Sequence, residues 1–130
     1  MNSKLFLLFN HQITADQEAD ARNSLAVSVT VEPPEDIKTI WKRLPSELPT
    51  IEDYLEPVKS WLSSKAESGD YLLVQGDFGA TYLMVRFAFD LGLVPVYSTT
   101  ERMVKEERVS DGMVNTMHTF IHRRFRRYGV

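Results

Sequence analysis

Four short apolar runs, each closed by polar or small residues and most followed by residues at helical spacing, leave few folds open to this chain of 130 residues. Lys4 to Phe9 is almost wholly apolar, the pattern of a strand covered on both faces, and it stops at Asn10-His11-Gln12. Thr14 with Gln17 three residues on reads as a capping box, so a modest helix is expected to about Ser24, weakly apolar and exposed. Val27, Val29 and Val31 alternate with Ser28 and Thr30 and end before Pro33-Pro34, as an edge strand would.

Ile37, Ile40, Trp41 and Leu44 recur at helical spacing. Ile51, Tyr54, Leu55, Val58, Trp61 and Leu62 mark a stronger amphipathic helix, with a kink expected at Pro57. Tyr71 to Gln75 is a third strand, introduced by Gly69-Asp70 and closed by Gly76-Asp77-Phe78-Gly79. Ala80 to Leu91 is apolar on nearly every face, apart from Arg86 and Asp90, and is expected to be a central, packed helix. Leu93 to Tyr97 makes a fourth strand that runs into Ser98-Thr99-Thr100.

Strands alternating with helices in this order predict right-handed crossovers and a mostly parallel central sheet. The expected class is α/β, a Rossmann-like three-layer fold with one domain over residues 1–130. The tail departs from that pattern. Asp111-Gly112, flanked by Val109 and Val114, predicts a C-terminal β-hairpin joining extended runs 99–110 and 113–126. Its paired numbers should sum to 223, placing Glu101 opposite His122 and Thr100 opposite Arg123.

No cysteine is present, which excludes disulfides and thiolate metal sites, and His11, His118 and His122 lack a zinc-like spacing. No metal and no cofactor are expected. The apolar run near the N-terminus is far shorter than the roughly 18 residues of a membrane span, so a cytoplasmic protein without membrane contact is the reading. The net charge of −3 argues against long nucleic acid as a partner. Residues 101–130 nevertheless hold 7 Lys+Arg against 4 Asp+Glu, a local basic strip suited to a small phosphate-bearing ligand.

Ligands of open parallel sheets bind outside the carboxyl ends of the strands. Three such ends are polar here: Asn10-His11-Gln12, Gln75 to Thr81, and Ser98-Thr99-Thr100-Glu101-Arg102. In the middle one, Gly76, Gly79 and Ala80 precede a helix whose N-terminal N–H groups favour an anion. It has neither the dinucleotide fingerprint nor a P-loop lysine. Asp77 suits a helix cap as well as a site, His11 suits an ordinary loop, and the basic ending around Arg123 and Arg124 suits a solvated strand.

Leu-Phe-Asn-His-Gln at 8–12, Gln-Gly-Asp-Phe-Gly-Ala-Thr at 75–81, Pro-Val-Tyr-Ser-Thr-Thr at 95–100 and the basic-aromatic ending together resemble a small family of type III CRISPR accessory proteins. These are similar to the CRISPR-associated Rossmann-fold (CARF) sensor domains. The resemblance covers nearly the whole chain and implies a ring nuclease that binds and cleaves cyclic oligoadenylate. On that reading the N–H groups around Gly76, Asp77, Phe78, Gly79, Ala80 and Thr81 cradle a phosphate, and Arg102 or Arg123 offsets developing charge. His11 is the expected general acid or base, with Asp77 orienting a hydroxyl or loop. Asn10, Gln12, Gln75, Ser98, Thr99 and Thr100 hold adenine and ribose. A homodimer is expected from the two-fold axis of a cyclic tetra-adenylate. A non-catalytic sensor or sponge and a protein-interaction subunit are the alternatives.

Overall fold

Side-by-side pairing of the apolar runs builds a five-stranded mixed sheet in the computed structural model, which describes residues 3–109 and 112–130. The elements are β1 (Ser3–Leu8), α1 (Ala15–Leu25), β2 (Val27–Val31), α2 (Glu35–Lys42), a 3-10 turn (Asp53–Leu55), α3 (Glu56–Lys65), β3 (Tyr71–Val74), α4 (Phe78–Asp90), β4 (Val94–Val109) and β5 (Met113–Arg127). Their order in the sheet is β2-β1-β3-β4-β5. Strands β1 to β4 run parallel, and β5 is antiparallel to β4.

Alternation along the strands divides the core between the two faces of the sheet. Phe6, Leu8, Leu72 and Val74 pack against α2, α3 and α4, with Trp61 edge-on to Phe6 at 5.7 Å between ring centroids. Leu5, Leu7, Leu73, Val96 and Phe125 face α1 through Ala21. The buried carboxylate of Asp70 fixes the start of the sheet, accepting from Lys4 N (3.0 Å) and Glu67 N (2.9 Å). Among the described residues no helix is long and apolar enough to cross a membrane.

The structure corrects four local expectations. Pro57 opens α3 instead of kinking it, because a proline in the first turn lacks only an N–H that has no helical partner anyway. Helix α4 is not central: Ala80, Met84 and Ala88 are its fully buried residues, while Phe78, Tyr82 and Phe89 are 95, 60 and 52% exposed. The core covers one stripe of α4; these three aromatics lie outside it, while Phe87 packs partly buried against the core. Arg86 sits over the exposed Tyr82 ring at 5.7 Å.

The fourth strand does not end at Tyr97. It continues unbroken to Val109, so Ser98-Thr99-Thr100 lies within β4 and is not a strand exit. The hairpin register is also one residue off over the distal half, where Thr100 faces His122 and Glu101 faces Ile121. Gly112 is left-handed at φ +76°. Asp111, on which the two-residue turn rested, lies outside the described residues. A bulge between Thr99 and Thr100 restores the expected register nearer the sheet, where Ser98 faces Phe125.

Gly76 is the position where the fold tolerates no side chain. A Cβ there would lie 2.8 Å from Trp41 Nε1 and 3.0 Å from its Cε2, and Trp41 is buried and donates to the Gln75 carbonyl at 3.0 Å. The indole has no room to yield. Gly76→Ala should therefore cost about 1–3 kcal/mol, as overpacking does, measured by urea unfolding with an unchanged m-value.

Candidate functional site

A polar groove of about 430 Å3 lies between the β1 exit and α2. Asn10, His11 and Gln12 form one wall, and Lys38, Thr39 and Lys42 of α2 with Arg43 at its C-cap form the other, with Glu32 and Pro33 from the β2 exit at one end. Proline-led entry starts α2 at Glu35, and burial of Ile37 and Trp41 turns its remaining faces toward the groove and solvent. Glu32 and Glu35 neutralise Lys38 at 3.4 and 3.6 Å. Lys42 and Arg43 are exposed, and their side chains have no hydrogen-bond or ion-pair partner among the described residues.

The strand order reverses direction between β1 and β3, so their exits flank the crevice where ligands of such sheets bind. Trp41 joins the groove to the β3 exit, since it touches both the Gln75 carbonyl and Gly76. Asp77 caps α4, accepting from Ala80 N at 2.9 Å, and Thr81 N donates to the Asp77 carbonyl at 2.8 Å. Phe78 projects beside this helix start, almost fully exposed. Gly79 is exposed and Ala80 buried. The Gln75 side chain does not face a ligand: its Oε1 accepts from Ser98 N at 2.8 Å.

Residues expected at the third exit lie elsewhere. Thr99 Oγ1 bonds the backbone of Arg124 across the β4–β5 pair, and Thr100 is exposed on the same ladder. Arg102 is exposed on the extended part of β4. Arg123 pairs with Glu101 at 2.6 Å, both about half exposed. These side chains belong to a two-stranded ribbon beyond the sheet. The cations facing the groove, Lys42 and Arg43, follow an apolar helical pattern in sequence, and nothing in that pattern marks them as ligand-facing.

A buried polar chain lies behind the strand exits. Gln17 Oε1 accepts from Thr14 N (2.9 Å), which fixes the amide so that Nε2 donates to Ser98 Oγ (3.3 Å). Ser98 Oγ also bonds His122 Nδ1, and His122 Nε2 lies 2.7 Å from Asp20 Oδ2. A carboxylate only accepts, so Nε2 carries a proton; with a neutral ring, Nδ1 then accepts the Ser98 hydroxyl proton. Burial opposes the charged form of Asp20. Hydrogen bonds from Ser24 and His122, the charge of His122 and the Phe125 amide outweigh it and hold the carboxyl below its usual range.

The order Ser98–His122–Asp20 is that of a hydrolytic triad, yet the His122 side chain is only 6% exposed and Ser98 is buried. The chain seats α1 on the sheet and leaves no approach for a substrate. His122 and Asp20 were not among the residues expected at the site, since they stand 102 positions apart and join only through the register of β5. Among the described residues, no three His, Cys, Asp or Glu side chains gather so as to hold a metal ion.

Comparison with known proteins gives a consistent relationship. Residues 3–126 match the family described as "Uncharacterized protein MJ1673 family". The Methanocaldococcus jannaschii protein named "Uncharacterized protein MJ1673" is 46% identical over 125 residues, which cover 96% of each chain. No solved structure matches this chain.

The polar chain sets a pH dependence of stability. Because the Asp20 carboxyl is held below its ordinary value of 3.8, its contribution is complete above that value and is lost as pH falls through the depressed folded one. Asp20→Asn, which keeps an acceptor for His122, should lower Tm at neutral pH. The gap to wild type should close in acid. A gap independent of pH down to the acid-unfolding limit would show that the carboxylate charge plays no part.

Proposed function

This chain belongs to the MJ1673 family, and from the groove at its strand ends we propose that it is a metal-independent ring nuclease opening a cyclic oligoadenylate, the tetra-adenylate first. Its action switches off a type III CRISPR antiviral signal in the cytoplasm. The observation that carries the reading is one concave site combining neutral amides (Asn10, Gln12), an imidazole (His11) and two cations without partners among the described residues (Lys42, Arg43). That is the chemistry of a base, a ribose and a phosphodiester. The exits at the strand-order reversal, with helices on both faces, support the finer Rossmann-like and CARF-like reading.

Each scissile unit carries its own nucleophile. The ribose 2′-oxygen attacks the adjacent phosphorus, the bond from phosphorus to the 5′-oxygen breaks, and the products are a 2′,3′-cyclic phosphate and a 5′-hydroxyl. The proton leaving the 2′-hydroxyl is taken by a base, and the 5′-oxygen receives one; His11 is the residue for such a transfer. Lys42 and Arg43 stabilise the charge on the non-bridging oxygens. Phe78 offers an exposed ring for stacking beside the N–H of Gly79, and Asp77 holds that helix start in place by accepting from Ala80 N. Arg102 and Arg123 act from the ribbon. A two-fold dimer with strand exits facing each other completes a site for a two-fold ligand.

A second reading, a non-catalytic sensor or sponge for the same ligand, is favoured by one observation. His11 has no hydrogen bond among the described residues, only an edge contact to Phe9 with ring centroids 6.3 Å apart, so nothing fixes its tautomer.

Labelled cyclic tetra-adenylate incubated in EDTA should give linear fragments ending in cyclic phosphate, read by mass spectrometry. His11→Ala should slow the single-turnover step by about 10²–10⁴-fold with little change in affinity. Lys42→Ala, Arg43→Ala and Arg102→Ala should weaken both. Intact ligand recovered after long incubation with stoichiometric protein establishes the sensor reading.

A further inference from the structure

Alternation carries one face of the sheet out along the ribbon. Ser98 of β4 meets Gln17 of α1, so even-numbered β4 residues face α1, while Tyr97 packs beside Tyr128 on the α4 side. The bulge leaves β4 in step, since Arg123 on β5 is its extra residue. Glu101, Met103 and Lys105, paired with Ile121, Thr119 and Met117, therefore continue the face that α4 covers within the sheet. Helix α4 begins at the strand exits and runs back to Asp90, and beyond those exits Met103, Lys105, Met117 and Thr119 are exposed.

A two-stranded ribbon alone is marginal in water. The same chain carries a helix face that lacks a sheet: Phe78, Tyr82 and Phe89, with Arg86 and Asp90, lie exposed along the side of α4 turned from its buried stripe. The length of that face, about 18 Å, matches the roughly 20 Å of β4 from Thr99 to Lys105. We propose that the α4-side face of each ribbon covers the exposed face of α4 in a second copy, reciprocally, across a two-fold axis that sets the strand exits head to head. A second copy is the occupant because the exchange supplies both missing layers at once. The ribbon reaches past its own exits, so only an axis that inverts the strand direction brings each ribbon onto the other helix; a head-to-tail contact would not close.

Charge and side-chain chemistry agree with that direction. The second copy's α4 then begins level with Thr99 and ends level with Lys105. Asp90 meets Lys105, and neither has an ion-pair partner of its own among the described residues. Arg86, one turn earlier, falls at the neutral pair of Met103 and Thr119. Phe89 lands on Met117, a sulfur–aromatic contact, and Phe78 on Arg124, whose guanidinium has no partner among the described residues. The contact deepens the dimer of the preceding section by naming its surfaces, and it rests on that dimer and not on cleavage.

The chain has no cysteine, so introduced thiols are the only ones. Within one chain Phe89 lies near the start of β4 and Met117 pairs with Lys105, about 36 Å along the strand, so the two cannot be bridged there. A short bifunctional thiol reagent should join Phe89→Cys to Met117→Cys when the two variants are mixed, and neither variant to itself. The chain carrying both substitutions should give covalent dimers without a ladder of larger species. Light scattering at micromolar protein should give twice the chain mass of 15.0 kDa. Met117→Asp, which sets a carboxylate against Phe89 and Asp90, should reduce it to one chain, and Phe120→Asp, on the other face of the ribbon, should leave it doubled. A single-chain mass for the wild type overturns both this contact and the dimer. A doubled wild-type mass with no mixed cross-link, with a ladder, or with a mass lowered by Phe120→Asp and not by Met117→Asp overturns this contact and leaves the dimer standing.

Discussion

The side chain and carbonyl of Gln75 end the parallel sheet, and much of the molecule beyond that point depends on how they do so. β3 stops at Val74, one residue earlier. The main-chain carbonyl of Gln75 then accepts from the Trp41 indole, which brings α2 against the strand end and makes it a wall of the groove. The side-chain carbonyl accepts from Ser98 N, which replaces the missing β3 partner and lets β4 continue. One neutral amide thus closes the sheet on one side and releases the ribbon on the other. Gly76 follows because the indole occupies the space where a Cβ would stand.

Helix α1 shows how polar contacts take over where apolar ones are scarce. Ala21 and Gln17 are its buried residues, so burial of carbon surface contributes little to its seat. Gln17 instead serves two bonds at once, closing the capping box at Thr14 and donating to Ser98. Asp20 and His122 complete the attachment, and each donor in the chain meets an acceptor. A buried network satisfied in this way fixes a single geometry, because any displacement leaves a polar group unpaired at about 1–3 kcal/mol. The helix begins three residues after the groove-lining Gln12, so the same network holds the β1 exit in position.

The strands, the capping box and the end of β2 at its prolines were legible because each is encoded by residues close in sequence. Asn10, His11 and Gln12 were legible as a strand exit for the same reason, and they do line the groove. The aromatics of α4 misled, since composition cannot say which face of a helix the sheet covers; Phe78, Tyr82 and Phe89 look like core and are surface. Ser98 to Arg102 read both as a polar strand exit and as the start of an extended run, and cross-strand pairing with β5 keeps these polar residues within β4. Lys42 and Arg43, and the meeting of Asp20 with His122, depend on tertiary placement alone.

The bulge beside Thr100 is the least legible feature and the one that makes the polar chain possible. In a regular strand, His122 and Phe125 are three apart and point to opposite faces. Here both face α1: Phe125 joins the apolar cluster there, His122 reaches Asp20, and the two rings stand 4.6 Å apart. Arg123 is the residue that the bulge sets aside, and its side chain turns to Glu101 at the surface. The extra residue also shifts the distal ribbon by one position, which sets Arg102 opposite Phe120 and Glu101 opposite Ile121. The register error of the hairpin and the buried histidine are therefore one fact. A strand without the extra residue would pair as Asp111-Gly112 alone suggests, and it would carry His122 away from the helix it holds.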